Sequence, residues 1–306
     1  MKVLFVSSAN RGGIGPIVKA QGESLSWLGI AVDYYGITGK GARGYLSNIL
    51  PLRKHILKTS PDIVHAHYSL CGIVAALTFA TNPLVVSLMG SDTKTGLISK
   101  AGIRFFFKFF WDRVIIKSSS MQLVNCSKKC FVIPNGVDFD KFRPMKKDTL
   151  KNKKIILFLA DPARESKNFT LARDAFHLLD TYNAELKVRY GVPQQDIPQI
   201  LNAADIVLLT SKWEGSPNVV KEAMACNCPV VATDVGDVAW LFGNEPGYFL
   251  TRFDPRDVAD KIRMALAFAQ EKGKPRGREK IRKLGLDSET VARRIVGVYE
   301  TVLGKK

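Results

Sequence analysis

Residues 205–233 read DIVLLTSKWEGSPNVVKEAMACNCPVVAT, and this stretch decides the fold class. The apolar runs Asp205–Thr210 and Pro229–Thr233 predict two buried strands, with a polar loop and a helix between them. Val/Ile/Leu-rich strands without strict alternation are typical of parallel sheets that are covered on both faces. The stretch therefore predicts a βαβ unit, in which the polar loop follows the carboxyl end of a parallel strand.

The helix of this unit is predicted to begin just after Glu214-Gly215. Ser216 suits the N-cap, and Pro217 then falls at the first helical position, where its missing N–H costs nothing. The backbone N–H groups of Asn218 and Val219, together with the helix dipole, would be able to hold a phosphate. The alternative is that Ser216 caps those donors itself, and the sequence leaves both interpretations open.

Two carboxylates flank the predicted helix start. Glu214 precedes the helix, and Glu222 lies two turns into it, eight positions later. Both side chains can face the same ligand, one toward a sugar and the other toward ribose hydroxyls.

Apolar runs alternate with helical patterns through both halves of the chain, which predicts two Rossmann-like α/β domains with parallel sheets facing a central cleft. We place the domains at residues 1–140 and 141–287, with a hinge near 134–152. The apolar spacing of Ser288–Leu303 predicts an amphipathic helix, and we expect the C-terminal segment 288–306 that contains it to pack back on the first domain. The predicted strands are Val3–Val6, Ile30–Tyr35, Ile63–His65, Leu84–Leu88, Gln122–Val124, Cys130–Ile133, Lys154–Ala160, Leu186–Tyr190, Asp205–Thr210, Val230–Thr233 and Tyr248–Leu250.

The 306 residues carry a formal net charge of +17, with 46% hydrophobic and 24% charged residues, which is a globular composition. Residues 1–150 hold 20 basic and 8 acidic side chains, a balance of +12, which favours association with a polyanion or an anionic membrane. The longest apolar stretch, Cys71–Ala80, is about half of the ~20 residues that span a bilayer. The five cysteines lack zinc-site spacing, so we expect reduced thiols in a cytoplasmic protein.

The basic aromatic segment Leu97–Lys117 is a candidate contact with a membrane. Lys100, Arg104 and Lys108 fall on one face of a helix, and phenylalanines spread around the rest. Such a helix can lie at the anionic inner face of the cytoplasmic membrane. The alternative is a core helix of the first domain with one solvated basic stripe.

The order of motifs resembles that of the retaining glycosyltransferases of family 4, which have the two-domain GT-B fold. Their E-x7-E signature matches Glu214 and Glu222, followed by Ala223-Met224-Ala225. Within the family, two stretches are similar to those of enzymes that build bacterial surface polysaccharides of the teichuronic-acid type. They are Met89-Gly90-Ser91-Asp92 and Glu214-Gly215-Ser216-Pro217-Asn218. Further matches are Gly12-Gly13, Asp62-Ile63-Val64-His65-Ala66-His67, Ile133-Pro134-Asn135-Gly136-Val137-Asp138 and Gly236.

The resemblance implies a role for individual residues at a nucleotide-sugar donor. Gly12 and Gly13 would let the backbone approach the diphosphate, and Lys167 would bind a phosphate. Glu222 would bind the ribose and Glu214 the transferred sugar. Val192 and Ile197 lie in the segment that borders the base in the family.

Two departures from the family pattern affect the predicted site. Pro162 stands where the family has an arginine, and Arg164 in the same loop is the candidate replacement. Met89 stands where the family has a histidine, and a methionine neither titrates nor donates a strong hydrogen bond. His65, His67 and Asp92 are the remaining candidates on the acceptor side. Histidines at the end of a strand are more often satisfied structural groups, and this is the favoured interpretation of His65 and His67.

The resemblance implies a retaining, metal-independent transfer, without a cofactor, from a nucleotide diphosphate sugar to a saccharide or polyprenyl-linked acceptor. Lys167, Arg164 and helix N–H groups would stabilise the departing diphosphate. Asp138-Phe139-Asp140 spells a metal-binding D-x-D but sits in the predicted hinge, so we assign no metal to it. The alternatives are a GT-B epimerase or phosphorylase, or a non-enzymatic polyanion-binding protein, although no nucleic-acid-binding motif is present.

Overall fold

The structure is a computed structural model that describes residues 1–10, 12–90, 97–121, 128–146, 153–179 and 183–304. The chain divides into two compact units. The first comprises Met1–Gly136 together with Ser288–Lys306, and the second comprises Val137–Asp287. The first unit thus ends four residues before the boundary expected from the sequence, and the C-terminal segment belongs to it.

The first unit is built on a six-stranded sheet in which every pairing is parallel, with the order β2-β1-β3-β4-β5-β6. One face carries a core of aliphatic side chains that includes Leu4, Val64 and Val86. The strands are β1 (Lys2–Ser8), β2 (Ala31–Ile37), β3 (Ile63–His67), β4 (Leu84–Ser87), β5 (Arg113–Ile116) and β6 (Cys130–Val132).

Helices connect these strands and cover the sheet. The C-terminal helix α12 (Ser288–Leu303) has the bounds that its apolar spacing predicts, and it packs against α1 (Pro16–Ser26). Its buried face includes Val291, Ile295 and Val298. The other helices of this unit are α2 (Gly41–Leu46), α3 (Ile49–Thr59), α4 (Ser69–Ala76) and α5 (Leu97–Phe109).

The second unit is built on a five-stranded parallel sheet with the order β11-β10-β9-β7-β8. Its strands are β7 (Lys154–Leu159), β8 (Ala184–Arg189), β9 (Ile206–Leu209), β10 (Val230–Thr233) and β11 (Tyr248–Thr251). Its helices are a 3₁₀ helix (Glu165–Lys167), α6 (Phe169–His177), α7 (Ile197–Ala203), α8 (Asn218–Ala225), α9 (Val238–Phe242), α10 (Pro255–Glu271) and α11 (Gly277–Lys283).

The strand order locates the expected ligand crevice of the second unit. The chain begins in the interior of this sheet at β7, runs outward to β8, and then returns to the other side of β7 at β9. In open α/β sheets, ligands bind outside the carboxyl ends of the strands at such a switch point. The loops that follow β7 and β9 therefore flank the crevice. The prediction of two parallel-sheet α/β domains is confirmed.

The segment Leu97–Lys117 is not one helix, which corrects the interpretation from its basic and aromatic spacing. Helix α5 ends at Phe109, and Arg113–Ile116 forms a strand between β4 and β6. Three consecutive β-branched residues, Val114, Ile115 and Ile116, favour a strand in a pleated sheet and are fully buried in it.

Other differences are smaller. Helix α6 ends at His177, whereas the periodicity predicts a helix over Thr170–Tyr182, and Tyr182 lies outside the described residues. The predicted strand Gln122–Val124 also lies outside them. Among the helices of the described ranges, none is both long and apolar enough to cross a membrane.

Candidate donor site

Hydrogen bonds join the two loops at the switch point of the second unit, which follow β7 and β9. The buried hydroxyl of Thr210, just after β9, donates a bifurcated hydrogen bond to the carbonyls of Lys167 at 3.1 Å and Asn168 at 3.0 Å. The backbone N–H of Lys212 donates to the carbonyl of Ser166 at 2.9 Å. These bonds hold the 3₁₀ helix after β7 beside the loop after β9, and so fix the backbone on which Lys167 and Glu214 are carried.

The side chains of Lys167 and Glu214 meet at this junction. The Lys167 ammonium donates a hydrogen bond to Oε1 of Glu214 and forms an ion pair with it. The Ser211 hydroxyl donates to the same oxygen at 2.8 Å. Both charged side chains are largely but not fully buried, so they remain open to a ligand. The arrangement places one cation and one carboxylate side by side in the crevice at the switch point of this sheet.

Gly236 fixes the other side of the Glu214 loop. It follows β10 with a φ of +66°, a conformation that side-chain-bearing residues rarely adopt. A Cβ there would lie 2.5 Å from the carbonyl oxygen of Gly215 and 3.1 Å from that of Glu214. Only glycine lets the two backbones approach this closely. The match of Gly236 to the family pattern therefore has a steric reason.

Helix α8 begins at Asn218, so the cap predicted from the sequence is wrong by one residue. Pro217 is the N-cap, Ser216 precedes it, and no described side chain caps the helix. The Ser216 hydroxyl accepts a hydrogen bond from the Lys221 ammonium at 2.9 Å. Because that hydroxyl is engaged away from the helix end, the interpretation in which Ser216 caps the first N–H groups is not realised. Whether Asn218 and Val219 bind a phosphate stays a prediction.

Glu222 lies on the same helix, and its environment raises its pKa. Burial is the main cause, since it penalises the charged carboxylate, while the charge of Lys221 and a side-chain hydrogen bond with Gln194 act against it. The outcome is a pKa of about 7. Gln194 and Val192 lie in the segment that joins β8 to α7, and Ile197 is the first residue of α7. The structure therefore brings the predicted base-bordering segment next to Glu222.

Arg164 lies just before the 3₁₀ helix, at its N-cap. Its side chain is exposed, and no described side chain forms a hydrogen bond or ion pair with it. The Arg164 guanidinium can therefore reorient toward an anion at a low cost in free energy. The structure places Arg164 on the same loop as Lys167 but gives it no fixed orientation toward Glu214.

Sequence reasoning missed the buried pair Lys221 and Asp237 behind this loop. Lys221 is completely buried, and it interacts electrostatically with Asp237, the residue that precedes α9. Burial lowers the pKa of Lys221 to about 8 and raises that of Asp237. The burial of Lys221 could have been inferred from its apolar neighbours on the helix, which are Val220, Ala223 and Met224. These three residues predict that most of the helix surface is buried.

In the first unit, Gly12 and Gly13 follow β1, as predicted, at the switch point of that sheet. Their φ values are +86° and +120°, and a Cβ at either position would meet no atom within 4 Å. Here the requirement for glycine is the backbone conformation rather than a close neighbour. The N–H of Gly13 donates to the carbonyl of Ala9 at 3.2 Å, which closes the turn.

The two acceptor-side histidines differ in their surroundings. Both nitrogens of the buried His65 are engaged, Nδ1 with the Tyr299 hydroxyl at 2.7 Å and Nε2 with the Ser87 hydroxyl at 2.8 Å, so His65 is a satisfied structural group. His67 stacks on it, and neither of its nitrogens has a partner among the described residues. Burial, with the nearby charge of Lys117, lowers the pKa of His67 to about 3. Asp92 lies outside the described residues.

Comparison with known proteins assigns a family model to each part of the chain. Residues 12–141 match the model described as Glycosyltransferase Family 4, and residues 175–267 match the one described as Glycosyl transferases group 1. The Bacillus subtilis (strain 168) protein TuaC, named as a teichuronic acid biosynthesis glycosyltransferase, is 28% identical over 235 residues. That match covers 66% of this chain but only 60% of the relative.

A second relative is an enzyme of Escherichia coli named as UDP-Gal:alpha-D-GlcNAc-diphosphoundecaprenol alpha-1,3-galactosyltransferase. It is 26% identical over 266 residues, which cover 69% of this chain and 68% of the enzyme. Among solved structures, the Anabaena protein Alr3699/HepE in complex with UDP-glucose superposes with a TM-score of 0.77 at 18% identity, over 98% of this chain and 100% of that one. This likeness concerns the fold. The chain therefore matches a glycosyltransferase family 4 model in its first unit and a glycosyl transferases group 1 model in its second.

Proposed function

We propose that the chain is a retaining glycosyltransferase that moves a sugar from a nucleotide diphosphate sugar to a saccharide or lipid-linked acceptor in surface polysaccharide biosynthesis. The observation that carries this proposal is the Lys167–Glu214 pair at the carboxyl ends of β7 and β9. Two named relatives support the substrate class, since one is assigned to teichuronic acid biosynthesis and the other uses a UDP-sugar and a diphosphoundecaprenol acceptor.

Each charged group has a place in donor binding. The Glu222 carboxylate accepts hydrogen bonds from ribose hydroxyls, and Val192 and Ile197 border the base. The Lys167 ammonium has three N–H donors, so it can bind a phosphate oxygen while it still holds Glu214. Glu214, kept in place by Lys167 and Ser211, accepts hydrogen bonds from hydroxyls of the transferred sugar.

The chemical step requires stabilisation of the diphosphate as the bond from the anomeric carbon to the phosphate oxygen breaks. Lys167 and the exposed Arg164 supply positive charge there, which lowers the barrier by electrostatic stabilisation of the leaving group. The acceptor hydroxyl attacks from the same face and passes its proton to the departing phosphate oxygen, which retains the anomeric configuration. Because side-chain cations supply this charge, we expect transfer to persist in the presence of EDTA.

A thermal-shift screen across nucleotide sugars tests donor binding. A ligand that binds only the folded state raises the melting temperature, by an increment that grows with its concentration over its Kd. We expect one nucleotide sugar to raise the melting temperature of the wild type, and Glu222→Ala to abolish that rise. The exposed Glu279, which forms an ion pair with Lys283 on α11, offers the matched control Glu279→Ala, which keeps the rise. No rise with any nucleotide sugar would contradict the proposal.

Incubation of that donor with and without acceptor separates the transferase from its alternatives. A transferase forms a new glycosidic bond only when the acceptor is present, and NMR then shows the anomeric configuration of the donor in the product. An epimerase converts the sugar of the donor without any acceptor. Polymer binding without donor turnover would favour the polyanion-binding alternative.

We also propose that α5 brings the first unit to an anionic membrane. Arg104, Phe105, Lys108 and Phe109 are exposed on this helix, with 52% of Phe105 and 61% of Phe109 accessible. Aromatic rings bordered by cations are typical of interfacial helices. The half-buried Lys100 lies one turn before Arg104 on the same helix.

The aromatic surface extends beyond α5. The ring of Phe110 lies 5.9 Å from that of Phe105 and 6.4 Å from that of Phe79, which is 66% exposed. Sedimentation with vesicles of phosphatidylcholine containing about a third phosphatidylglycerol tests this surface. We expect the wild type to bind, and Phe105→Ser/Phe109→Ser to bind at least tenfold more weakly. Equal binding of both proteins would contradict the membrane contact.

A further inference from the structure

Lys221 is a completely buried lysine on α8, and the donor-site roles assigned above do not use it. Its ammonium donates a hydrogen bond to the Ser216 hydroxyl at 2.9 Å. The helix packs against α7, α11, β9 and β10, which encloses the side chain. A buried charge is costly unless an opposite charge and hydrogen bonds compensate for it, so the partners of Lys221 decide its role.

Two carboxylates provide that compensation. The nearly buried Asp237 and the neighbouring Glu222 both attract the ammonium. In return, the charge of Lys221 acts against the effect of burial on both carboxylates and so keeps their pKa values lower than burial alone would leave them. Without Lys221, burial would therefore favour the neutral form of Glu222 even more strongly.

The surroundings of Glu222 contain few other groups that could replace this charge. Gln194 donates a hydrogen bond but carries no charge, and Cys226, one turn along α8, has a pKa that burial raises to about 12. Lys274 and Arg278 interact with Cys226, but neither contributes to the shift at Glu222. Lys221 is thus a positive charge that opposes the effect of burial on the pKa of Glu222.

The same ammonium connects two backbone segments of the site. Ser216 belongs to the loop that carries Glu214, and Asp237 follows Gly236, the glycine on which that loop rests. Lys221 donates a hydrogen bond to Ser216 and attracts the Asp237 carboxylate electrostatically. One side chain therefore couples the loop after β9 to the turn after β10. Movement of the ammonium would affect the loop and Glu222 together.

We propose that Lys221 is a positioning residue of the donor site, whose buried ammonium fixes the Glu214 loop through Ser216 and supplies the positive charge next to Glu222. This inference rests on the proposed function, because it gives Glu222 the task of accepting hydrogen bonds from ribose hydroxyls. A protonated carboxyl accepts such bonds less well, so the charge of Lys221 sets the pH range in which the donor binds.

The test uses the double variant Lys221→Met/Asp237→Asn in the full chain. Removal of Lys221 alone would leave a buried carboxylate without its partner, whereas the double variant removes both charges at once. Lys221→Arg retains the charge, and Lys283→Met removes an exposed lysine of the same unit as a matched control. Carbon-13 NMR of labelled glutamate carboxyls follows the titration of Glu222, assigned by comparison with Glu222→Gln.

We expect Glu222 to titrate at least one pH unit higher in the double variant than in the wild type, and unchanged in Lys283→Met. Calorimetry with UDP-glucose, whose diphosphate does not titrate near neutral pH, should show at least tenfold weaker binding by the double variant at pH 7. The difference should narrow at pH 9, where Glu222 ionises in both proteins. If Lys221 had a purely structural role, the double variant would have a lower melting temperature. Neither the Glu222 titration nor the pH dependence of UDP-glucose binding would then change.

Two outcomes would count against specific parts of the account. An identical Glu222 titration in the wild type and the double variant, with affinities for UDP-glucose within twofold of each other, would overturn the role of Lys221. If the Glu222 titration moves but the wild type does not bind UDP-glucose at any pH, the charge coupling stands and the UDP-sugar donor fails. The two failures are thus distinguishable.

Discussion

The ammonium of Lys167 is hydrogen-bonded to Oε1 of Glu214, although 47 residues separate them in the chain. The two residues lie on loops that follow β7 and β9, the strands on either side of the switch point of the second sheet. The backbone bonds from Thr210 and Lys212 hold these loops together, so the pair is assembled by the fold before any ligand arrives.

Replacement of Lys167 tests the cationic half of this pair. Lys167→Ala should lower kcat/KM for sugar transfer by about 100- to 1,000-fold, because it removes a preorganised charge from the departing diphosphate. The measurement is steady-state kinetics with the donor found in the thermal-shift screen. Lys212→Ala is the matched control, since Lys212 pairs with the exposed Glu165 in the neighbouring turn. Full activity of Lys167→Ala would remove Lys167 from the site.

The raised pKa of Glu222 predicts a pH dependence of donor binding. Glu222 is protonated below a pKa of about 7, so donor affinity should fall as the pH drops through 7 and level off above 8. Glu222→Gln should bind the donor about tenfold to 100-fold more weakly at pH 8, because it loses hydrogen bonds to a charged acceptor. Calorimetric titrations between pH 5.5 and 9 measure both effects. A wild-type affinity that stays constant through pH 7 would contradict the assignment.

The same shift predicts a pH dependence of stability with a defined sign. The folded pKa of Glu222, about 7, lies above its ordinary value of 4.5, so the folded state binds more protons between about pH 4.5 and 7. The contribution of Glu222 to stability is therefore present below pH 4.5 and is lost as the pH rises through 7. Urea denaturation at several pH values should show this loss in the wild type relative to Glu222→Gln. An identical pH dependence of both proteins would show that the pKa is not raised.

Gly236 provides a test of how the loop is packed. Gly236→Ala should lower the free energy of unfolding by about 1–3 kcal/mol, because the added Cβ meets the Gly215 carbonyl and φ is positive. Donor KM should rise as well, since the Glu214 loop is displaced. Gly297→Ala is the control, because that glycine lies in α12 with open space around its Cβ position and should gain about 0.5–1 kcal/mol. Equal stability of the two variants would contradict the steric account.

The bond between His65 and Tyr299 tests the place of α12 in the first unit. Tyr299→Phe should destabilise the protein by about 1–3 kcal/mol, because it leaves a nitrogen of a buried histidine without its partner. Chemical denaturation measures the change. Tyr190→Phe, at an exposed tyrosine, should stay within about 0.5 kcal/mol of the wild type. A Tyr299→Phe protein as stable as the wild type would show that the bond contributes little.

The architecture was predictable because it depends on local patterns. Most strands were read from apolar runs, and α12 was found with its observed bounds. The strand Arg113–Ile116 was not predicted, because the spacing of Lys100, Arg104 and Lys108 led to one helical segment over Leu97–Lys117. That periodicity concealed the end of α5 at Phe109.

The site was less predictable because its contacts join distant parts of the chain. Serine is a residue type that favours the N-cap, but the Ser216 hydroxyl accepts a hydrogen bond from Lys221 instead. Only the packing of α8 brings these two side chains together. The partner of Lys221, Asp237, comes from the turn after β10, which no spacing rule connects to α8. Spacing identified Glu214 and Glu222, whereas the pairing of Glu214 with Lys167 required the strand order.

Photoaffinity labelling with 5-azido-UDP-glucose tests the location of the donor site most directly. We expect the base to lie beside Val192 and Ile197 and the ribose at Glu222, so peptide mapping should recover the label within residues 189–226. Unlabelled UDP-glucose should prevent that labelling, and Glu222→Gln should weaken it. A competable label found only in other peptides would contradict the proposed donor site.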